Sequence, residues 1–222
     1  MHQRKSKKIL IYFLLLVLVC SINNERLNKI EFPNISEVKI LGLGGANSAS
    51  LLKNIYSLNL ENILFVKKKK IQQIIESNGL VEKYDVFKIY PSSLYIEIQK
   101  TKFLAKVNYN GLYYILGSNG KLSKNEFYKK HLPFIFGSPD IKEFLKLKKI
   151  IDNSKLNYKN VENFYYFANG RWDLELTNEI IIKLPEKNLK KSLDLALDFL
   201  KTNDSQIKFI DLRVNNQIIL ND

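Results

Sequence analysis

The residues that could do chemistry are few, and their spacing fails the patterns they suggest. The stretch ILGLGGAN sets Gly42 and Gly44 between a strand-like run and a helix-like run, the arrangement with which dinucleotide-binding folds cradle a pyrophosphate. The third glycine of that pattern, needed for close helix packing, falls at position 47, which is asparagine, and no second βαβ half follows. The stretch therefore reads as a loop that needs positive φ at Gly42, Gly44 or Gly45. LGSNGKL at 116–122 fails the phosphate-loop pattern, which requires glycine at 115 and a hydroxyl at 122, where Ile115 and Leu122 stand. Ser21, Ser36 and Ser118 have no histidine at a suggestive spacing, and His131 reads as a surface or capping residue rather than a base. Asp173 and Glu175 alternate along one strand face, as solvent-facing carboxylates do. The single cysteine, Cys20, excludes a disulfide framework, and two histidines, His2 and His131, make no metal cluster. The expectation is a non-enzyme with no catalytic residue, no cofactor and no small-molecule substrate.

The elements around these residues begin with Ile9 to Ile22, fourteen residues without a charge. At about 1.5 Å per residue this is roughly 21 Å of helix against a hydrocarbon core about 30 Å thick. Lys7, Lys8, Asn23 and Asn24 extend it to roughly 27 Å, with the lysine stems snorkelling. No small-residue cleavage site follows it, and Val19 ahead of Cys20 argues against lipoprotein processing. The reading is a retained short transmembrane helix over 9–24. A basic cytoplasmic tail, 1–8, precedes it, and a polar linker over 25–34 follows. The formal net charge of +13 raises nucleic acid as a partner, but the topology places most of the chain away from the cytoplasm. A solvated lysine-rich surface drawn to anionic headgroups is the better reading, and KKKK at 67–70 is the polar start of an amphipathic helix.

From residue 35 the pattern is that of folded modules. SEVKIL alternates as a strand, SASLLKNIY has helical spacing with a serine as N-cap, and a second helix places Ile71, Ile74 and Ile75 on one face with Gly79 as a left-handed C′ residue. VEKYDVFKIY and LYIEIQK form a hairpin around PSS, with Leu94, Ile96 and Ile98 pointing one way. Strand, helix, helix, strand, strand is a compact α+β module over 35–101. Beyond it, over 102–222, strands are punctuated by Asn110-Gly111, Asn119-Gly120 and Asn169-Gly170, each read as a type I′ turn, with weaker signals at Asn178 and Asn215-Asn216. Two helical stretches interrupt this mixed β-meander: DIKEFLKLKKII, and KNLKKSLDLALDFLK with Leu189, Leu193, Leu197 and Leu200 on one stripe. Trp172 reads as the buried anchor of the second sheet.

In order and spacing these pieces resemble the FtsQ/DivIB family of bacterial division proteins. VFKIYPSSLYIEIQKTKFLAKV is similar to the end of that family's POTRA module, and GLYYILGSNGKL followed by LPFIFG to its hairpin and Leu-Pro segment. GRWDLELTNEIIIKLP with IKFIDLRVNNQIIL, including Asp211, Leu212 and Arg213, resembles its closing strands. Lys100 and Phe103 stand where the family often has Glu and Pro, and Val214 where an aromatic is frequent. The resemblance implies a POTRA domain followed by an FtsQ-type β-domain. It implies an inner-membrane, single-pass divisome scaffold at the septum, its bulk periplasmic, that links early and late division proteins. Its implied partners are bitopic proteins of the FtsB and FtsL type, through which it helps to control septal peptidoglycan synthesis. Partner capture by the edge of the terminal hairpin is expected to involve Phe209, Asp211, Arg213, Val214, Gln217 and Ile219. Two rival readings are a POTRA-bearing envelope assembly or secretion factor with an extended client, and an envelope enzyme with a basic site for cell-wall polymer.

Overall fold

The structure, a computed structural model, describes residues 3–21, 33–124, 131–202, 207–214 and 217–221. Helix α1, Gln3–Ser21, takes in the basic residues as well as the apolar run. Ile9 to Val19 are all exposed, so α1 contributes nothing to either core below. Among the described residues no helix is both long and apolar enough to cross a membrane. The basic residues inside α1 are the reason, because they leave its uncharged run short; Asn23 and Asn24, counted above towards a span over 9–24, lie outside the described residues.

The first module has the expected order: β1 Glu37–Leu41, α2 Gly45–Tyr56, α3 Lys68–Ser77, β2 Val81–Ile89 and β3 Ser93–Lys100. Its sheet runs β1-β3-β2, with β1 parallel and β2 antiparallel to β3. The alternation in β3 sends Leu94, Ile96 and Ile98 inward, and the helical spacing of Leu51, Ile55, Ile71 and Ile75 meets them, all buried. Each such side chain contributes roughly 1.5–3 kcal/mol by leaving water.

Two helix ends differ from the sequence reading. Helix α2 starts at Gly45, and its N-cap is Gly44 with no side-chain cap; Ser48 lies inside the first turn, its N–H donating to the Gly44 carbonyl at 2.9 Å. Helix α3 ends because Asn78 turns extended (φ −77, ψ 118) and its Oδ1 accepts from the Leu80 N–H at 2.9 Å, so no left-handed residue is required. Gly79 lies close against the second module instead, where a Cβ would come 3.2 Å from Ser123 Oγ and that hydroxyl would have to give way slightly. In the loop before α2, Gly42 (φ +98) and Gly44 (φ +83) take the positive φ expected. Gly42 presses against the Ile98 carbonyl oxygen, 1.8 Å from where a Cβ would sit, so the glycine serves strand packing.

The second module is β4 Phe103–Tyr109, β5 Leu112–Gly117, β6 Leu122–Ser123, β7 Phe134–Phe136, α4 Ile141–Asp152, β8 Val161–Tyr166, β9 Trp172–Leu176, β10 Ile181–Lys183, α5 Leu189–Thr202, β11 Phe209–Asp211 and β12 Ile219–Asn221. The strands make one nine-stranded sheet in the order β12-β11-β10-β9-β8-β7-β4-β5-β6. This is not a simple meander: α4 carries the chain between the parallel pair β7 and β8 and α5 between β10 and β11, while β7 also lies parallel to β4, which it follows after β5 and β6. Phe144, Leu147 and Ile151 of α4 and Leu193 and Ala196 of α5 share one core with Phe164, Trp172, Leu174, Ile182 and Ile210. Trp172 is buried, and Phe164 meets it edge to face at 6.3 Å.

Of the Asn-Gly turns only Asn110-Gly111 has both residues at positive φ (52 and 78). At Asn119-Gly120 and Asn169-Gly170 the glycine alone is left-handed. Those loops are one residue longer, closed by Gly117 N–H to Lys121 O and Phe167 N–H to Arg171 O, each at 3.0 Å. In the next loop Glu179 (φ 66), not Asn178, is left-handed; Asn215 and Asn216 lie outside the described residues.

A polar clasp joins the modules. Asn119 Nδ2 donates to the carbonyls of Gly79 (3.0 Å) and Val81 (2.8 Å), and Glu82 accepts from Thr101 Oγ1 (2.9 Å) and Ser118 Oγ (2.7 Å). Thr101 is buried within it.

Candidate partner-binding edge

The closing hairpin pairs Phe209, Ile210 and Asp211 of β11 with Asn221, Leu220 and Ile219 of β12. Ile210 is fully buried and Ile218 packs on the same core, which fixes the register, since a slip of one residue would turn these side chains to solvent. Strand β12 ends the sheet, and among the described residues nothing pairs with its outer side. Its backbone donors and acceptors there form a template for another strand. Exposed beside that edge are Val214 (46%), Ile219 (42%) and Leu220 (40%).

The six residues singled out from the sequence do not share one environment. Val214 and Gln217 line a shallow groove with Leu212 and, from the start of α5, Lys191 and Leu195. Ile219 lies on β12 itself, whereas Phe209 and Asp211 lie on β11, one strand in from the edge. Phe209 has the Lys183 ammonium over its ring, 4.0 Å from the centroid. Asp211 is buried, and Arg213 grips it: Nε donates to both carboxylate oxygens (2.8 and 2.9 Å), Nη2 bonds one of them, and the Arg213 backbone N–H donates to Oδ1 at 3.0 Å. The Arg213 side-chain hydrogen bonds hold the Asp211 carboxyl below its ordinary range against the opposing effect of burial.

Beside this pair lies a cluster that the sequence reading missed. Asp173, expected to face solvent, is buried at 4% exposure, and Arg171 Nε stands 3.3 Å from its Oδ1. Burial pushes the Asp173 carboxyl up, while the charges of Arg171, Arg213 and Lys183 pull it down. Lys183 comes to it by the β9–β10 register, in which Lys183 is paired with Asp173. Arg171, Lys187, Glu186 and Arg213 rim an open, mainly basic hollow on this side. Only the Arg171, Asp173 spacing was a possible sequence signal, since the rest are brought together by strand pairing. His131 is exposed and pairs with Glu162 at 2.9 Å, and among the described residues no group of acids, histidines or cysteines is placed to hold a metal.

Replacing Asp211 with asparagine is expected to cost about 1–2 kcal/mol at neutral pH, the range of a charged hydrogen bond discounted for an arginine that is partly solvated. The folded-state pKa is depressed, so the stabilisation is complete above the unfolded value of about 3.9 and is lost as the pH falls through the folded one. Urea titrations of both chains should therefore differ at pH 7 and converge in acid. A constant offset would show that packing, not ionisation, is what the substitution removes.

Two family models match the chain in tandem: the POTRA domain, FtsQ-type, over 34–100, and the cell division protein FtsQ/DivIB C-terminal domain over 105–213. Their boundary falls at the clasp between the modules. The chain belongs to the FtsQ/DivIB family. Among curated proteins it is similar to the cell division protein FtsQ of Rickettsia bellii, 26% identical over 83% of this chain and 66% of the relative. It is also similar to that of Rickettsia prowazekii, 27% identical with the same coverage. The chain thus spans 66% of the length of these FtsQ relatives. The cell division protein DivIB of Staphylococcus aureus is 31% identical over 42% of this chain and 22% of that protein. In this FtsQ/DivIB chain the C-terminal model ends at Arg213, so the groove residues Val214 and Gln217 and strand β12 lie beyond the matched segment.

Proposed function

We propose that this chain is a non-enzymatic scaffold of the division machinery that captures an extended segment of a partner of the FtsB or FtsL type on the outer edge of β12. The observation that carries the reading is the unpaired edge flanked by exposed Val214, Ile219 and Leu220. A partner strand completes the backbone hydrogen bonds there, and side-chain contacts set register and specificity. Val214, Gln217 and Ile219 meet the incoming strand, Arg213 is held in place for it by Asp211, and Phe209 supports the hairpin from the next strand.

Helix α1 anchors the scaffold in the inner membrane with its basic end in the cytoplasm, leaving both modules in the periplasm at the septum. Its uncharged run is shorter than the hydrocarbon core, and snorkelling lysine stems and slight bilayer thinning offset the difference at modest cost. Depleting the protein is the test of the division role. Cells should stop dividing while they continue to grow, and normal septation on depletion would defeat it.

A further inference from the structure

The POTRA module carries an exposed feature that partner capture does not use. Between α2 and α3 the chain forms a tight tip in which Asn62 Oδ1 accepts from the N–H of Leu64 (2.9 Å) and of Phe65 (3.4 Å). Ile63 is fully buried and Val66 packs on the module's core, so the tip is held at both ends. The two side chains between them are turned out: Leu64 is 40% and Phe65 70% exposed. Lys67, Lys68, Lys69 and Lys70 follow at once, all exposed, and among the described residues none of the four has an ion-pair partner within bridging distance. Among the described residues, one carboxylate lines the hollow beneath Phe65, that of Glu61, alongside Lys67 and Lys70.

This placement works against the helix that bears it. Helix α3 has no acidic residue in its first turn and no side-chain cap, so cations crowd the positive end of its dipole. Helix α4 of the same chain has Asp140 as a bonded cap, Glu143 in its first turn and Lys149 in its last. A cationic start that the helix does not want is accounted for by an anion outside the protein.

The position of the tip says which anion. Ile35 N–H donates to the Glu61 carbonyl at 3.3 Å, and Asn34 bridges to Asn62, so the chain coming from α1 joins the module beside the tip. Twelve residues, 22–33, separate α1 from Asn34, which caps the separation at about 45 Å even for a fully extended chain. We propose that Leu64 and Phe65 insert into the headgroup region of an anionic bilayer and that Lys67–Lys70 bind its lipid phosphates. Exposed apolar side chains flanked by lysines are how a protein surface docks on such a membrane, each lysine near it multiplying partitioning about five-fold. The proposal rests on the reading of α1 as the anchor for its proximity argument, and the test separates the two.

The full chain carrying Phe65→Trp is mixed with vesicles of phosphatidylcholine alone, or of phosphatidylcholine with phosphatidylglycerol, brominated high on the acyl chains. Trp172, buried at 4% exposure, supplies an unquenched baseline. In anionic vesicles the added tryptophan should lose about half its emission or more, as an interfacial ring does. It should lose little in neutral ones, and replacing Lys67–Lys70 with glutamine should return the signal to the neutral level. Flotation reports the anchor independently. A chain that floats with an unquenched residue 65 overturns the docking alone and assigns the patch to a protein partner. A chain that does not float with neutral vesicles yet is quenched in anionic ones overturns the anchor and supports the docking. A chain that neither floats nor is quenched overturns both.

Discussion

Aspartate in place of Val214 or Ile219 should abolish capture of the partner while leaving the fold intact. Both side chains are roughly half exposed, so each substitution should change stability by only about 0.5 kcal/mol. Binding responds differently, because an incoming strand desolvates both positions and a charge trapped beneath it loses its water. Truncation of a central contact typically costs 2 kcal/mol or more, about 30-fold, and a buried unpaired carboxylate exceeds this. Co-purification should fall below detection, with the midpoint of urea unfolding shifted only slightly. Phe209→Asp makes a poorer probe, because Phe209 sits on the inner strand under Lys183 and its loss would disturb the hairpin as well. Binding that survives both edge substitutions would remove β12 from the interface.

Gly42→Ala should be the most damaging single-methyl change in the POTRA module. Its φ of +98 is strained for any L-residue, and the added Cβ would fall 1.8 Å from the Ile98 carbonyl oxygen, a backbone atom that cannot rotate away. A backbone cost of roughly 1–3 kcal/mol and forced displacement of roughly 1–3 kcal/mol more give a loss of about 2–6 kcal/mol. Gly44→Ala is the control, with a similar φ of +83 and nothing within 4 Å of its Cβ, so only the backbone cost of about 1–3 kcal/mol applies. Hydrogen exchange should show β1 coming loose from β3 in the first variant and protected in the second. Equal effects would mean that the close approach to Ile98 relaxes freely.

That pair of glycines also shows what could be read from the sequence. Positive φ was legible, because residues flanking a turn between a strand and a helix have few other ways to reverse direction. What the turn packs against was not, since Ile98 is far along the chain. The same division holds throughout. Alternation in β3 and the spacing of Ile71 and Ile75 marked the POTRA core correctly, for burial imposes its period on a single segment. The turns at 119–120 and 169–170 were located but mistyped, because loop length depends on strand register and not on the Asn-Gly pair alone. Asp173 was misplaced for a similar reason: of the cations beside it Arg171 is two residues away in the chain, but Lys183 arrives only by the pairing of β9 with β10 and Arg213 from beyond β11. At the candidate edge, Val214 and Ile219 are exposed, while Phe209 and Asp211 lie one strand further in.

The clasp at Asn119 and Glu82 sits near β5 and β6, at the opposite end of the nine-stranded sheet from β12. Strand β6 has only two residues, and Gly79 of the other module lies against Leu122 and Ser123. One end of the sheet is thus stoppered while the other stays open, some 38 Å away at the usual strand spacing. Head-to-tail growth of this sheet would need the β6 margin of a neighbouring copy, and that margin lies against the POTRA module.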